Sequence, residues 1–136
     1  MVTISEKYVG IDVSKDTLVV ATWGEKNCLE VENGKKGIAK LIKQMIALTP
    51  KLIVVEATGG YEEAVVAALF EAGLPVALVS PQRVRQYARA KGLLAKTDQI
   101  DAQVLADFGK TLQPRLFVGK SAERRQLVVR LKSKST

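Results

Sequence analysis

Hydrophobic and polar residues alternate along the first quarter of the chain, as they do in β-strands with one buried face. Residues 7–13 (KYVGIDV) and 17–23 (TLVVATW) are predicted strands, and the three residues between them predict an antiparallel hairpin. Leu29 and Val31 alternate with glutamates within residues 28–33, which predicts a third, half-exposed strand. The chain therefore opens with three consecutive strands.

Helical spacing replaces this alternation after residue 34. Apolar residues recur at positions 38, 41, 42, 45 and 46, which predicts a helix that ends before Pro50. Strands and helices then follow in turn: a buried strand over 51–56, a helix over 61–72, a strand over 74–80, a helix from 81 to about 90 and a last helix from about 97 to 109. This order predicts an α/β fold in which a five-stranded mixed sheet carries helices on both faces.

The composition is that of one soluble globular domain, with 136 residues of which 47% are hydrophobic. No apolar run is long enough to span a bilayer and the N-terminus lacks the features of a signal peptide, so we expect a cytoplasmic protein. Cys28 is the only cysteine, which excludes an internal disulfide. The absence of histidine excludes Ser/His/Asp and Cys/His catalysis, so any chemistry must use carboxylates, lysines or hydroxyls.

Positive charge is concentrated in two parts of the chain. The net charge is +7, of which residues 1–119 contribute +2 and residues 120–136 contribute +5. Within the first part, one run of basic residues contains no acid: Arg83, Arg85, Arg89, Lys91 and Lys96. Two local basic segments favour a polyanionic partner such as nucleic acid, and the alternative is a solvated helix face followed by a basic tail.

Two carboxylates stand at positions where a sheet of this order would bring them together. Asp12 lies within an apolar strand, on the face shared with Tyr8 and Gly10, and Glu56 ends the predicted central strand. Each has a simpler interpretation, Asp12 as the cap of the following turn and Glu56 as a solvated loop acid. If the first and fourth strands are neighbours, the two carboxylates repel each other unless a divalent cation binds between them.

Asp98 and Asp101 open the last predicted helix. Their spacing fits a helix cap, in which acids of the first turn complement the helix dipole. They also share a face with Leu105 and Phe108, so a helix that packs on the sheet would carry both acids to its edge. Four carboxylates at one point suit Mg²⁺ or Mn²⁺, and two such ions about 4 Å apart can support phosphoryl transfer.

Three motifs together resemble a known family. YVGIDVSKDTL, VVEATGGYEE and LAKTDQIDAQVLA are similar, in this order, to the N-terminal catalytic domain of the DEDD transposases of bacterial insertion sequences and the related Piv invertases. The resemblance implies a ribonuclease H-like fold close to that of the junction resolvase RuvC. It also implies a metal-binding tetrad of Asp12, Glu56, Asp98 and Asp101.

The same resemblance implies partners and a domain plan. Members of this family recombine DNA, some of them guided by an RNA that the element encodes, and a homo-oligomer is expected for the full-length protein. By that analogy the basic run from Arg83 to Lys96 would follow a nucleic-acid backbone. Members continue through a helical connector into a second domain that carries a serine nucleophile. We therefore expect a catalytic domain over residues 1–112, and over 113–136 a basic linker with the start of that connector.

Other interpretations remain at this stage. A RuvC-like nuclease acting alone on branched DNA would use the same tetrad with water as the nucleophile. GIDVSKDTL also looks like the first phosphate loop of sugar kinases and actin-like ATPases, although Asp98 and Asp101 have no role in those proteins. A nucleic-acid-binding remnant without activity is the non-enzymatic alternative.

Overall fold

The computed structural model describes residues 6–93 and 98–119, and for residues 98–100 it describes the backbone alone. Five strands and four helices follow the order predicted from the sequence: β1 (Tyr8–Val13), β2 (Thr17–Thr22), β3 (Leu29–Glu32), α1 (Lys35–Leu48), β4 (Leu52–Glu56), α2 (Glu63–Glu71), β5 (Val76–Val79), α3 (Pro81–Lys91) and α4 (Asp98–Leu112). None of the helices in the described ranges is long and apolar enough to cross a bilayer.

The strands form one sheet in the order β3-β2-β1-β4-β5. β1 and β2 make the predicted antiparallel hairpin, and β3 extends it on the far side of β2. β1 and β4 are parallel neighbours, as are β4 and β5. The predicted five-stranded mixed sheet is confirmed, and with it the condition that the first and fourth strands lie side by side.

Each face of the sheet is covered by a different pair of helices. On one face Val9, Ile11 and Val55 pack against α1 and α2, whose Leu41 and Leu69 are fully buried. The opposite face packs against α3 and α4 through a second cluster, which contains Tyr8, Leu52, Val54, Val84, Leu105 and Phe108. Alternate residues of β1 and β4 thus serve two cores, as expected for strands covered on both sides.

Helix α4 lies directly against β1 because Gly10 has no side chain. A Cβ at Gly10 would stand 2.7 Å from the Cβ of Leu105 and closer still to the backbone of Ala102 and Ala106. Further along α4, a Cβ at Gly109 would stand 2.7 Å from the Val54 Cγ2. The helix therefore runs past Gly109 to Leu112, whereas the sequence predicted its end at Gly109: this glycine provides close packing and does not cap the helix.

After α4 the chain returns to the sheet along the outer edge of β5. The Phe117 amide donates to the Val76 carbonyl at 2.8 Å, and the Phe117 ring meets the Phe70 ring edge-on, with centroids 5.6 Å apart. The first part of the expected linker is thus packed on the domain up to Gly119. The boundary at residue 112 stays a prediction, and residues 120–136 lie outside the described part of the chain.

Candidate functional site

Asp12 and Glu56 are brought side by side by the pairing of β1 with β4. The parallel register pairs Gly10 with Val54 and Ile11 with Val55, so the next positions along the two strands are Asp12 and Glu56. Neighbouring strands lie about 4.8 Å apart. Both acids are half-buried and belong to the sheet face that α4 covers, because each lies two residues beyond a position that packs there. The structure thus agrees with the expectation that pairing of the first and fourth strands brings positions 12 and 56 together.

The first turn of α4 lies level with Asp12. Ala102 packs on Gly10 and is clustered with Val19, the register partner of Asp12 on β2. Asp12 lies two residues beyond Gly10, roughly 6.6 Å towards the sheet edge. Residues 98–101 form the helical turn before Ala102, and one such turn rises about 5.4 Å along the helix axis. The close packing at Gly10 therefore carries the beginning of α4 to the edge where β1 and β4 end, next to Asp12 and Glu56.

Charged residues of α3 and α4 change the pKa of Glu56 on β4. Burial raises the pKa of the Glu56 carboxyl above its ordinary value, and the negative charge of Asp101 raises it further. The positive charge of Arg85, on α3, acts in the opposite direction. Asp101 and Arg85 thus both lie within electrostatic range of Glu56.

The complete tetrad stays a prediction. Among the residues whose side chains the structure describes, no three acids, cysteines or histidines are grouped closely enough to hold a metal ion together. The side chain of Asp98 lies outside that set. The donor chemistry nevertheless fits a hard divalent cation, because Asp12, Glu56 and Asp101 offer carboxylate oxygens, and burial and then the negative charge of Asp101 raise the pKa of Glu56.

Loops around the acidic edge are held by residues that the sequence-based prediction missed. Asn33 donates from Nδ2 to the Ser14 carbonyl at 2.9 Å and to the Tyr61 carbonyl at 3.0 Å, which joins the turn after β1 to the loop after β4. Glu62 is only 8% exposed and accepts hydrogen bonds from the Gly60 amide and the Thr58 hydroxyl. An acid two residues after the Gly59-Gly60 turn was the available indication of this role.

The basic residues of helix α3 fall into two groups. Arg85 and Arg89 are exposed and four residues apart, so they share a face, and Arg85 acts electrostatically on Glu56. Arg83 instead lies over the Phe108 ring, 5.4 Å from its centroid, and Lys91 forms an ion pair with Asp107 at 3.3 Å. Lys96 lies outside the described residues. Arg85 and Arg89 are therefore the members of the run best placed to meet a polyanion at the acidic edge.

Asp107 joins α4 to α3 and to the end of β2. Its carboxylate accepts hydrogen bonds from the Trp23 indole N–H at 3.0 Å and from the Tyr87 hydroxyl, besides the ion pair with Lys91. Burial alone would raise the pKa of Asp107, but these donors outweigh it and hold the pKa below its ordinary value. The sequence pattern gave no indication of this cluster, because its members come from three separate segments.

Comparisons with known proteins show the family to which this chain is related. The sequence profile of the IS110-type DEDD transposases, described as transposase, matches residues 9–133. The chain is 30% identical to the pilin gene-inverting protein of Moraxella lacunata, with 96% of this chain and 42% of that protein covered. It is 27% identical to the transposase for insertion sequence element IS1111A of Coxiella burnetii, with 93% and 33% covered. The chain thus spans well under half the length of these relatives.

Solved structures support the fold. T. thermophilus RuvC in complex with a Holliday junction substrate superposes with a TM-score of 0.59 at 19% identity, over 79% of this chain and 96% of that chain. A second Thermus thermophilus RuvC structure gives a TM-score of 0.54 at 18% identity, over 77% and 95%. The expected ribonuclease H-like, RuvC-like fold is confirmed.

Proposed function

Because this chain belongs to the IS110-type DEDD transposase family, we propose that it forms the catalytic domain of a transposase or site-specific recombinase that cleaves and joins DNA strands. The inverting and transposing activities named for its relatives support this reading. The same match removes support for the sugar-kinase or actin-like alternative, because it covers both acidic strands and α4. A fold like that of RuvC does not by itself support the other alternative, a nuclease that acts alone on branched DNA, because one fold serves many functions.

The reaction would depend on a divalent metal ion, as family membership and the fold imply. We propose Mg²⁺ or Mn²⁺, held by Asp12, Glu56, Asp98 and Asp101. When bound, such an ion stabilises the charge that develops on the phosphoryl oxygens during strand cleavage. The raised pKa of Glu56, which burial and then the negative charge of Asp101 cause, supports this assignment, since a cation would relieve the repulsion between the two carboxylates.

The protein's own residues would bind and orient the DNA at this edge. Arg85 and Arg89 lie on one exposed face of α3, on the side from which Arg85 reaches Glu56, so they would pair with backbone phosphates next to the acids. Arg83 and Lys91 would contribute positive charge nearby while they stabilise the contact of α3 with α4. Lys96 lies outside the described residues and is proposed with them from the sequence alone. This arrangement would position a phosphodiester without reading its sequence.

Further partners belong to the same proposal. A guide RNA encoded by the element and a homo-oligomer of the full-length protein are proposed from the family resemblance, and a cytoplasmic location is proposed from the sequence. Because this chain spans 42% or less of the relatives described above, we expect it to bind metal and nucleic acid without completing recombination.

The observation that carries the proposal is the side-by-side placement of Asp12 and Glu56 under the first turn of α4. It is tested by titrating Mn²⁺ into the chain by isothermal calorimetry. Asp12→Asn should weaken binding by about tenfold or more, because it removes a charged ligand. Asp16→Asn is the matched control, since Asp16 is exposed on the turn after β1. Equal binding by the wild type and Asp12→Asn would refute the tetrad.

A further inference from the structure

An open pocket lies on the side of the sheet that α4 covers, away from the acidic edge. It has a volume of about 430 Å³, within the range of pockets that hold small organic ligands. Its walls come from the loop after β2, from α4 and from the end of α3. The residues that line it include Trp23 and Lys26 of the loop, Gln103 and Asp107 of α4, and Lys91 of α3. We call it the Trp23 pocket.

Trp23 presents a fixed aromatic surface in this pocket. It is 44% exposed, although tryptophan is highly buried on average. The indole N–H donates to the Asp107 carboxylate at 3.0 Å, and the Lys110 amine lies 4.3 Å from the ring centroid. Gln103 donates from Nε2 to the Lys26 carbonyl at 3.3 Å, which joins the loop to α4. The ring is therefore held in place before any ligand arrives, so stacking on it costs little conformational entropy.

Charged residues surround the indole. Three lysines and two acids belong to this group: Lys26, Lys91 and Lys110 with Glu25 and Asp107. The Asp107 carboxylate is already bound by Lys91 and by the indole N–H. The group thus has one positive charge in excess and attracts an anion, while the indole offers a surface for a flat apolar group. A nucleotide combines the two, because it carries an aromatic base and a phosphate.

The pocket lies close enough to the acidic edge for one nucleic-acid strand to reach both. Gln103 and Asp107 are two and six residues beyond Asp101 on α4, which corresponds to about 3 and 9 Å along the helix axis. Successive nucleotides of a stacked strand rise about 3.4 Å. A base two or three nucleotides away from a phosphate at the acidic edge is therefore level with the pocket along α4.

We propose that the Trp23 pocket binds an unpaired nucleobase of the strand held at the acidic edge. The base stacks on the indole, and Lys26 and Lys110 pair with its neighbouring phosphates. A base inside a duplex does not suit this pocket, because its own neighbours cover both of its faces. Stacking accepts any base, so the pocket selects unpaired over paired strands and does not read sequence. The proposal rests on the function given above for the identity of the strand, but it needs no metal ion.

Trp23 is the only tryptophan of the chain, so its fluorescence reports on the pocket directly. Oligothymidylate of about 12 nucleotides, titrated into the 136-residue chain in EDTA, should quench this emission saturably, because a stacked base quenches indole fluorescence. A blunt duplex with as many phosphates should quench it much less. DNA and RNA share the stacking chemistry, so oligouridylate of the same length is the second probe, and the lower Kd identifies the strand that the pocket takes.

Two variants separate stacking from structure. Trp23→Phe and Trp23→Leu both lose the hydrogen bond to Asp107, but only phenylalanine keeps an aromatic ring. The anisotropy of a labelled oligothymidylate should give an affinity near that of the wild type for Trp23→Phe. For Trp23→Leu the affinity should be about fivefold to a hundredfold weaker, the usual range for one stacked base. Far-UV circular dichroism checks that both variants fold.

A second pair of variants tests the phosphate contact. Lys26→Gln should reduce the salt slope of oligothymidylate binding by about 1. Lys40→Gln is the matched control, because Lys40 is exposed on α1, on the opposite side of the sheet, and should leave the slope unchanged.

Three results would overturn the proposal: equal affinities of Trp23→Phe and Trp23→Leu, binding that leaves the Trp23 emission unchanged, and equal quenching by the strand and the duplex. Absence of any strand binding would overturn it as well. Failure of the Mn²⁺ titration described above, with saturable quenching in EDTA intact, would overturn the metal site and support the pocket as a separate binding site. The two proposals thus fail in different experiments.

Discussion

Replacing Gly10 with alanine should separate α4 from β1 and damage the candidate site without touching any acid. The new Cβ would stand 2.7 Å from the Leu105 Cβ, while ordinary contact begins at 3.4 Å, so α4 must move away by at least about 0.7 Å. Overpacking of this kind costs about 1–3 kcal/mol, and here the upper end is expected because backbone atoms of Ala102 and Ala106 are also in the way.

The same displacement should weaken metal binding. A shift of this size in the groups that support a metal or catalytic site typically costs roughly tenfold to a hundredfold. Calorimetric Mn²⁺ titration measures the loss of affinity. Urea unfolding, followed by the fluorescence of the single tryptophan, measures the loss of stability.

Gly34→Ala is the matched control. Gly34 has an extended backbone, and a Cβ added there would meet no atom within 4 Å. Its replacement should therefore cost less than about 1 kcal/mol and leave metal affinity unchanged. If Gly10→Ala unfolds at the wild-type urea concentration, the close contact between α4 and β1 is wrong. If it is destabilised but binds Mn²⁺ as tightly as the wild type, α4 does not carry ligands of the site.

Two further predictions concern charged residues. The pKa of Asp107 lies below its ordinary 3.8, so its ionised form stabilises the fold above that pH and this contribution is lost as the pH falls through the folded-state pKa. Between pH 7 and pH 3, the free energy of unfolding measured in urea should therefore fall more for the wild type than for Asp107→Asn. An equal fall in both proteins would contradict the hydrogen bonds assigned to Asp107. In DNA binding, Arg85→Gln should lower affinity and reduce the salt slope by about 1, whereas Arg83→Gln, which loses a contact with the Phe108 ring, should change the slope less. Equal slopes for both variants would refute the division of the basic helix.

The order of elements and the pairing at the acidic edge could be predicted because both depend on local patterns. Alternation, helical spacing and turn residues define the strands and helices, and adjacency of β1 and β4 then brings Asp12 next to Glu56. The helical end near Gly109 was misjudged because a glycine that ends a helix and one that packs against Val54 look alike in sequence.

The remaining features depend on contacts between distant segments. Asp107 accepts hydrogen bonds from Trp23, directly after β2, and from Tyr87 on α3, and Asn33 joins two loops that follow different strands. No periodicity marks such residues, because each partner is an ordinary polar residue in its own segment. For the same reason the sequence shows the basic run, but it does not show that Arg85 acts on Glu56 while Lys91 forms an ion pair with Asp107.

The packing of α4 on Gly10 also has a consequence for protein synthesis. The candidate ligands Asp12 and Glu56 belong to β1 and β4, whereas the candidates Asp98 and Asp101 belong to α4, the last helix of the described residues. During translation the hairpin and the early strands can fold first, but the site cannot close until α4 has left the ribosome and packed on β1. If the four acids form the catalytic centre, an incomplete nascent chain has no means to cut DNA.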